Sequence, residues 1–119
     1  GRMKRDFTYI DDIISGVVAA LDNPPADDRA IKAGGSVAPH RLYNIGNNRS
    51  EKLMDMIAII EAECGKKAEF DFQPMQPGDV PESHANIDAI SRDLGYAPTT
   101  PIAAGIPRFI AWYRKYHGV

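Results

Sequence analysis

Arg5-Asp6-Phe7-Thr8-Tyr9-Ile10-Asp11-Asp12 is the stretch from which the rest of the chain is read. Phe7 to Ile10 is aromatic and β-branched, a composition that favours a short strand. Asp11 and Asp12 then offer side-chain acceptors to the first amides of a helix. Ile13, Val17, Ala20 and Leu21 recur at helical spacing, and Asn23-Pro24-Pro25 stops the element because proline has no amide to donate. A strand that runs straight into an amphipathic helix over about residues 11–22 is the signature of an α/β layer.

The downstream pattern extends it. Residues 23–40 are rich in Pro, Asp, Gly and Ala without a period and read as a long surface loop. Leu42 to Ile45 reads as a second strand, and Gly46-Asn47-Asn48 turns the chain toward Ser50 as the N-cap of a helix. Leu53, Ile57, Ile60 and Cys64 line one face of that helix, which stops at Gly65. Alternation in Ala68-Glu69-Phe70-Asp71-Phe72-Gln73 predicts a half-buried strand. Pro74, Pro77, Gly78 and Pro81 then force a shaped loop. Asn86 is placed to cap a short helix that ends at Gly95, and Thr100-Pro101 opens a last helix with proline at its first position. That helix carries Ile102, Ile106, Phe109, Ile110 and Tyr113 on one stripe, with Pro107 expected to kink or divide it.

The fold class expected is therefore α/β, with few short strands and about four helices in one domain, which 119 residues can fill. Three short strands make a thin sheet with bare edges, so the strand at 42–45 is expected to lie beside strands from an absent amino-terminal region.

Composition narrows the function classes. With 25% charged residues and a net charge of −2, the chain has no basic face for nucleic acid. Arg2, Lys4 and Arg5 form the basic cluster near the start, and a charge run of that length is by default a solvated face. The single cysteine, Cys64, excludes an intrachain disulfide, fits a reducing cytoplasm and sits where a small buried hydrophobe belongs. No apolar run reaches the roughly 18 residues that span a bilayer, so no membrane partner is expected. His40, His84, His117 and Cys64 lack metal-ligand spacing, and no local triad motif is present. Asp11-Asp12 suits helix capping better than acid/base catalysis. The Gly46-Asn47-Asn48 turn presents amides to an anion but lacks the spaced glycines of a dinucleotide loop.

Two segments gather ligand-binding groups. Arg5 offers a planar, charge-assisted fork to phosphate oxygens, and Phe7, on the same strand face, offers a surface for a flat base. In the loop from Met75 to Val80, Gly78 lets the backbone approach a ligand, while Gln76 and Asp79 can hydrogen-bond hydroxyl groups such as those of a ribose.

Arg5 to Ile13, Tyr43-Asn44-Ile45-Gly46-Asn47, Gln76-Pro77-Gly78-Asp79-Val80 and Trp112-Tyr113 stand in the order seen in extended short-chain dehydrogenases of the NAD-dependent epimerase/dehydratase family. The chain resembles the carboxy-terminal, substrate-binding part of these nucleotide-sugar enzymes, most of all the UDP-glucuronate 4-epimerases, over nearly its whole length. The resemblance implies that Arg5 contacts the nucleotide diphosphate, that Phe7 lies near the uracil and that Asp79 lies near the ribose. Gln76 stands where related galactose epimerases carry an arginine, which points away from a galactose substrate.

The same resemblance implies NAD chemistry that this segment is not equipped to perform. Hydride leaves the sugar C4, the keto intermediate rotates and hydride returns, with a Tyr-x-x-x-Lys pair as base. Tyr9, Tyr43, Tyr96 and Tyr113 are followed four places later by Ile13, Asn47, Thr100 and His117. Residues 1–119 are thus expected to form a nucleotide-sugar binding region, inactive alone and able to self-associate, with no catalytic or cofactor-binding residue of its own. The preceding Rossmann domain would bind NAD. The alternatives are the same region of a related decarboxylase or dehydratase, or a non-catalytic interaction module.

Overall fold

The computed structural model describes residues 1–32 and 35–119. Four helices carry the fold: α1 (Ile10–Asp22), α2 (Leu53–Cys64), α3 (Asp88–Leu94) and α4 (Ile102–His117). Two short strands, β1 (Lys4–Arg5) and β2 (Glu51–Lys52), pair antiparallel with Lys4 opposite Lys52 and Arg5 opposite Glu51. On the other side of β1, a parallel bridge joins Lys4 to Glu82. Lys4 N donates to the Pro81 carbonyl at 2.9 Å, and Ser83 N donates to the Lys4 carbonyl at 3.3 Å. β1 is therefore the middle of three extended segments, the last of which leaves the Pro-rich loop.

The helices lie close to where the periodicity predicts them, and α1 begins one residue early. The strands do not. Residues 7–10, 42–45 and 68–73 form no ladder, whereas 4–5 and 51–52 do. A strand exists only where a neighbour accepts its hydrogen bonds, and among the described residues none lies along those three segments. The expected alternation still leaves its mark: Phe70 and Phe72 point the same way and stack at 5.4 Å. The loop expected at 23–40 is irregular over its described residues; residues 33 and 34 of it lie outside them.

Capping also differs from expectation. Tyr9, Lys52 and Pro101 occupy the N-cap positions of α1, α2 and α4, and none makes a side-chain cap bond. Ser50 instead donates to the Ser83 carbonyl at 3.0 Å. Asn86 does work as a local acceptor, for the Asp88 amide at 2.9 Å. Gly65 and Gly95 end α2 and α3 in the left-handed conformation, as expected. Pro107 does not divide α4, which is one helix from Ile102 to His117. Cys64 is exposed rather than buried, because it is the last residue of α2 and lies at the open end of its stripe.

The core is small. Ile90 is fully buried, Ile87 and Tyr96 nearly so, and Tyr43, Ile45, Ala85 and Leu94 pack around them. α2 packs on α4 as a second layer. The outward face of α1 is apolar and bare: Ile10, Ile14, Val17, Val18 and Leu21 are all about half exposed or more. The accessible surface is 8700 Å², against about 6,400 Å² for a compact chain of this mass. The radius of gyration is 18.3 Å, against about 13.5 Å. The fold therefore buries much less of its surface than a compact domain of this mass does, and hydrogen bonds between segments connect its parts.

Asp12 makes one of those connections. It does not cap its own helix. Its carboxylate, 7% exposed, accepts from Thr99 N at 3.2 Å and Thr100 N at 2.9 Å, immediately before α4. Burial pushes its pKa up, but the hydrogen bonds from Thr99 and Thr100 together outweigh burial and hold it below the usual carboxylate value. The stability this contributes is present above the unfolded aspartate value near 4 and is lost as pH falls through the lower folded value. Asp12→Ala is expected to cost about 1–3 kcal/mol in urea unfolding at pH 7, with the difference from wild type shrinking below about pH 4; an equal difference at pH 3 and 7 would contradict this account.

Candidate functional site

The two segments singled out in the sequence meet. An Arg5 Nη2 hydrogen reaches Asp79 Oδ1 at 2.6 Å, across 74 residues of chain, and Nη1 donates to the Lys4 carbonyl at 2.8 Å. The pair is half-buried, with side-chain exposures of 24% for Arg5 and 37% for Asp79. Arg5 is therefore not the solvated charge that its basic cluster predicts by default. A guanidinium has five donors, so the Arg5 fork keeps N–H groups free for a further anion while Asp79 holds its plane.

Asp79 is placed by local chain chemistry. Its amide donates to the Gln76 carbonyl at 3.1 Å, closing a turn over Gln76-Pro77-Gly78-Asp79 in which Gly78 has φ 88°. Proline second and glycine third with positive φ is a type II turn, so Gly78 serves the turn itself. Asp79 Oδ1 also accepts from Val80 N at 2.9 Å. Gln76 enters through its backbone and has an exposed side chain.

Phe7 is not on a strand face shared with Arg5, because β1 ends at Arg5. It lines an apolar cleft of about 260 Å³ with Tyr9, Ile10, Pro101, Ile106 and Phe109, whose walls include neither Arg5 nor Asp79. α4 approaches closely there, since a Cβ on Gly105 would lie 2.9 Å from the Tyr9 ring.

Beneath Arg5 lies a feature that sequence reasoning missed. The Asp6 carboxylate accepts from Asn47 N at 2.7 Å, Asn48 N at 3.0 Å and Ala85 N at 2.9 Å. The Gly46-Asn47-Asn48 turn does present amides to an anion, and the anion is the protein's own aspartate. A Cβ on Gly46 would stand 2.5 Å from the Ala85 Cβ and 2.8 Å from Asp6 Oδ2, so only glycine fits. The Gly46 carbonyl in turn accepts from the Tyr96 hydroxyl at 2.8 Å. Burial, with the Asp12 and Asp6 charges adding to it, pushes the Tyr96 hydroxyl above the usual phenol value and keeps it a donor. No local signal announces these contacts, whose partners are 41 to 79 positions apart; a Gly-Asn-Asn turn with no ligand of its own is the nearest hint.

Among the described residues, no group of three His, Cys, Asp or Glu side chains converges as a metal site would require. None of the described helices is long and apolar enough to cross a membrane.

With this geometry in hand, comparison with known proteins is informative. The family model described as GDP-mannose 4,6 dehydratase matches residues 1–109. UDP-glucuronate 4-epimerase 6 of Arabidopsis thaliana is 41% identical over 119 residues, covering 97% of this chain and 25% of its own. Protein CapI of Staphylococcus aureus is 39% identical over 122 residues, covering 98% and 36%. The crystal structure of UDP-glucuronic acid 4-epimerase from Bacillus cereus, in complex with UDP-glucuronic acid and NAD, superposes with a TM-score of 0.76 at 30% identity, covering 98% of this chain and 33% of that one. The chain thus spans between a quarter and about a third of the length of these proteins. The expected fold, α/β and built like one portion of an extended short-chain dehydrogenase, agrees with that superposition.

Two substitutions test the platform under Arg5. Tyr96→Phe leaves the Gly46 carbonyl unpaired in the core and is expected to cost about 1–3 kcal/mol by denaturant unfolding. Gly46→Ala forces the Ala85 and Asp6 segments apart and is expected to cost about as much. Wild-type midpoints in both would mean that the turn does not bear on the fold.

Proposed function

Since the chain belongs to the GDP-mannose 4,6 dehydratase family, a group of nucleotide-sugar enzymes, we propose that it is the substrate-binding part of an NAD-dependent nucleotide-sugar epimerase. The reaction proposed is C4 epimerisation of UDP-glucuronate to UDP-galacturonate, in keeping with the relatives named UDP-glucuronate 4-epimerase. The observation that carries the reading is the Arg5–Asp79 pair at 2.6 Å. It sets a guanidinium suited to phosphate beside a carboxylate suited to a hydroxyl, the two kinds of partner a nucleoside diphosphate needs.

In this reading Arg5 binds the diphosphate with the N–H groups that Asp79 leaves free, and Asp79 accepts from a ribose hydroxyl. Phe7 stands two residues along the chain from Arg5 but in a separate cleft beside α4, so the uracil contact that the resemblance implies requires the nucleotide to extend from the Arg5–Asp79 pair to that cleft. Gln76, exposed in the adjoining turn, is the further polar group proposed to meet the substrate. These groups bind and orient; none is placed to move a hydride or a proton.

The residues present do not fit NAD. The glycine-containing turn nearest to a dinucleotide loop has its Asn47 and Asn48 amides taken by Asp6, and none of Tyr9, Tyr43, Tyr96 and Tyr113 has a lysine four places on. We assign NAD binding and the catalytic base to a Rossmann domain preceding residue 1. The bare face of α1 and the excess surface support such a neighbour. An interaction module without ligand would leave the Arg5–Asp79 pair without a purpose beyond the turn.

The test is made on the full-length protein carrying this region. Incubation with UDP-glucuronate is expected to give the C4 epimer by proton NMR. Arg5→Ala is expected to weaken UDP binding by about 10- to 150-fold, the loss of one charge-assisted hydrogen bond. Unchanged UDP affinity by calorimetry would remove Arg5 from the site and the reading with it.

A further inference from the structure

We infer that Asp6 is a positioning residue for substrate binding: through the amides of Asn47, Asn48 and Ala85 it sets the place of Arg5 relative to Asp79. The inference rests on the nucleotide-sugar reading above and deepens it. The Arg5 guanidinium is held directly by Asp79 and the Lys4 carbonyl, but the strand that carries it, β1, is two residues long and its pairing with β2 covers only Lys4 and Arg5.

The geometry is that of a clamp. One neighbour of β1 is β2, entered through Asn47 and Asn48; the other is the 81–83 segment, which leads from the Asp79 turn to Ala85. Asp6 is the first residue past β1 and bonds both neighbours at once. One carboxylate oxygen takes Asn47 N, and the other takes both Asn48 N and Ala85 N. Asp79 leaves the same platform six residues before Ala85. A shift of the 85 segment away from Asp6 therefore carries Asp79 away from Arg5. All these acceptor sites need a full carboxylate. An amide in its place would turn an N–H₂ group toward at least one backbone N–H, donor against donor.

Asp6 touches no proposed ligand atom, so its effect must pass through Arg5, and a double-mutant cycle isolates that path. In the full-length protein, Asp6→Asn is expected to raise the KM for UDP-glucuronate about tenfold, with kcat within about twofold, since Arg5 grips the diphosphate in ground state and transition state alike. In an Arg5→Ala background, Asp6→Asn is expected to change KM by less than about twofold. A role in folding alone would lower the active fraction, and so the apparent kcat, and leave KM at its wild-type value. That result, or KM effects that multiply in the double variant, overturns the inference. If Asp6→Asn does not yield folded protein, Asp6→Glu keeps the charge but displaces the carboxylate by one methylene and is read by the same KM criterion. Failure of the nucleotide-sugar reading shows separately, as a wild-type KM in Arg5→Ala with Asp6 intact.

Discussion

A single carboxylate accepting three backbone amides holds this structure at its centre. Asp6 receives hydrogen bonds from Asn47, Asn48 and Ala85, segments that share no helix and no strand pairing with each other. Backbone N–H groups in a turn must find acceptors, and charge-assisted bonds are stronger than neutral ones. The small core of Ile87, Ile90 and Tyr96 reaches this turn through the Tyr96 hydroxyl and Ile45, but only the Asp6 carboxylate joins the 46–48 turn directly to both β1 and Ala85. Gly46 is the steric counterpart of this arrangement, since the space a Cβ needs is filled by Asp6 and Ala85.

A second aspartate repeats the device. Asp12 sits on α1, yet its acceptors serve Thr99 and Thr100 at the start of α4. The two acidic positions flank Phe7 to Ile10, so the motif that begins the chain is tied at one end to the turn before β2 and at the other to the last helix. Arg5 points from this scaffold toward Asp79, and Phe7 toward the cleft at α4. Rigid attachment is what a binding residue needs, because a misplaced fork loses bidentate geometry before it loses charge. The bare apolar surface lies on the outer face of α1 and on the aromatic stripe of α4, away from these bonds.

How much of this was legible varies by element for a physical reason. Helices satisfy their own amides, so α1, α2, α3 and α4 could be read from local signals, with Asn23-Pro24-Pro25 ending α1 and glycines ending α2 and α3. Strands depend on a neighbour that the local sequence does not contain. Leu42 to Ile45 and Ala68 to Gln73 have strand composition without a ladder, while Lys4–Arg5 and Glu51–Lys52 have a ladder without strand composition. The candidate site follows the same division. Arg5 and Asp79 were recognisable by chemical type and by order along the chain, but their contact, and its angle of approach, were not.

What the sequence determined by itself is the helices, the stops that end them and the kinds of ligand atom that Arg5, Phe7, Gln76 and Asp79 are chemically able to meet. Those properties follow from side-chain chemistry and nearest neighbours. The tertiary structure decided that the carboxylates of Asp6 and Asp12 face distant amides, in the case of Asp12 instead of its own helix, that the Asn47-Asn48 anion site is already filled, and that Phe7 lines a cleft that includes neither Arg5 nor Asp79. Each of these depends on two segments far apart in sequence arriving at one place. No local pattern encodes that, because the hydrogen bonds that fix it form only when both segments are there.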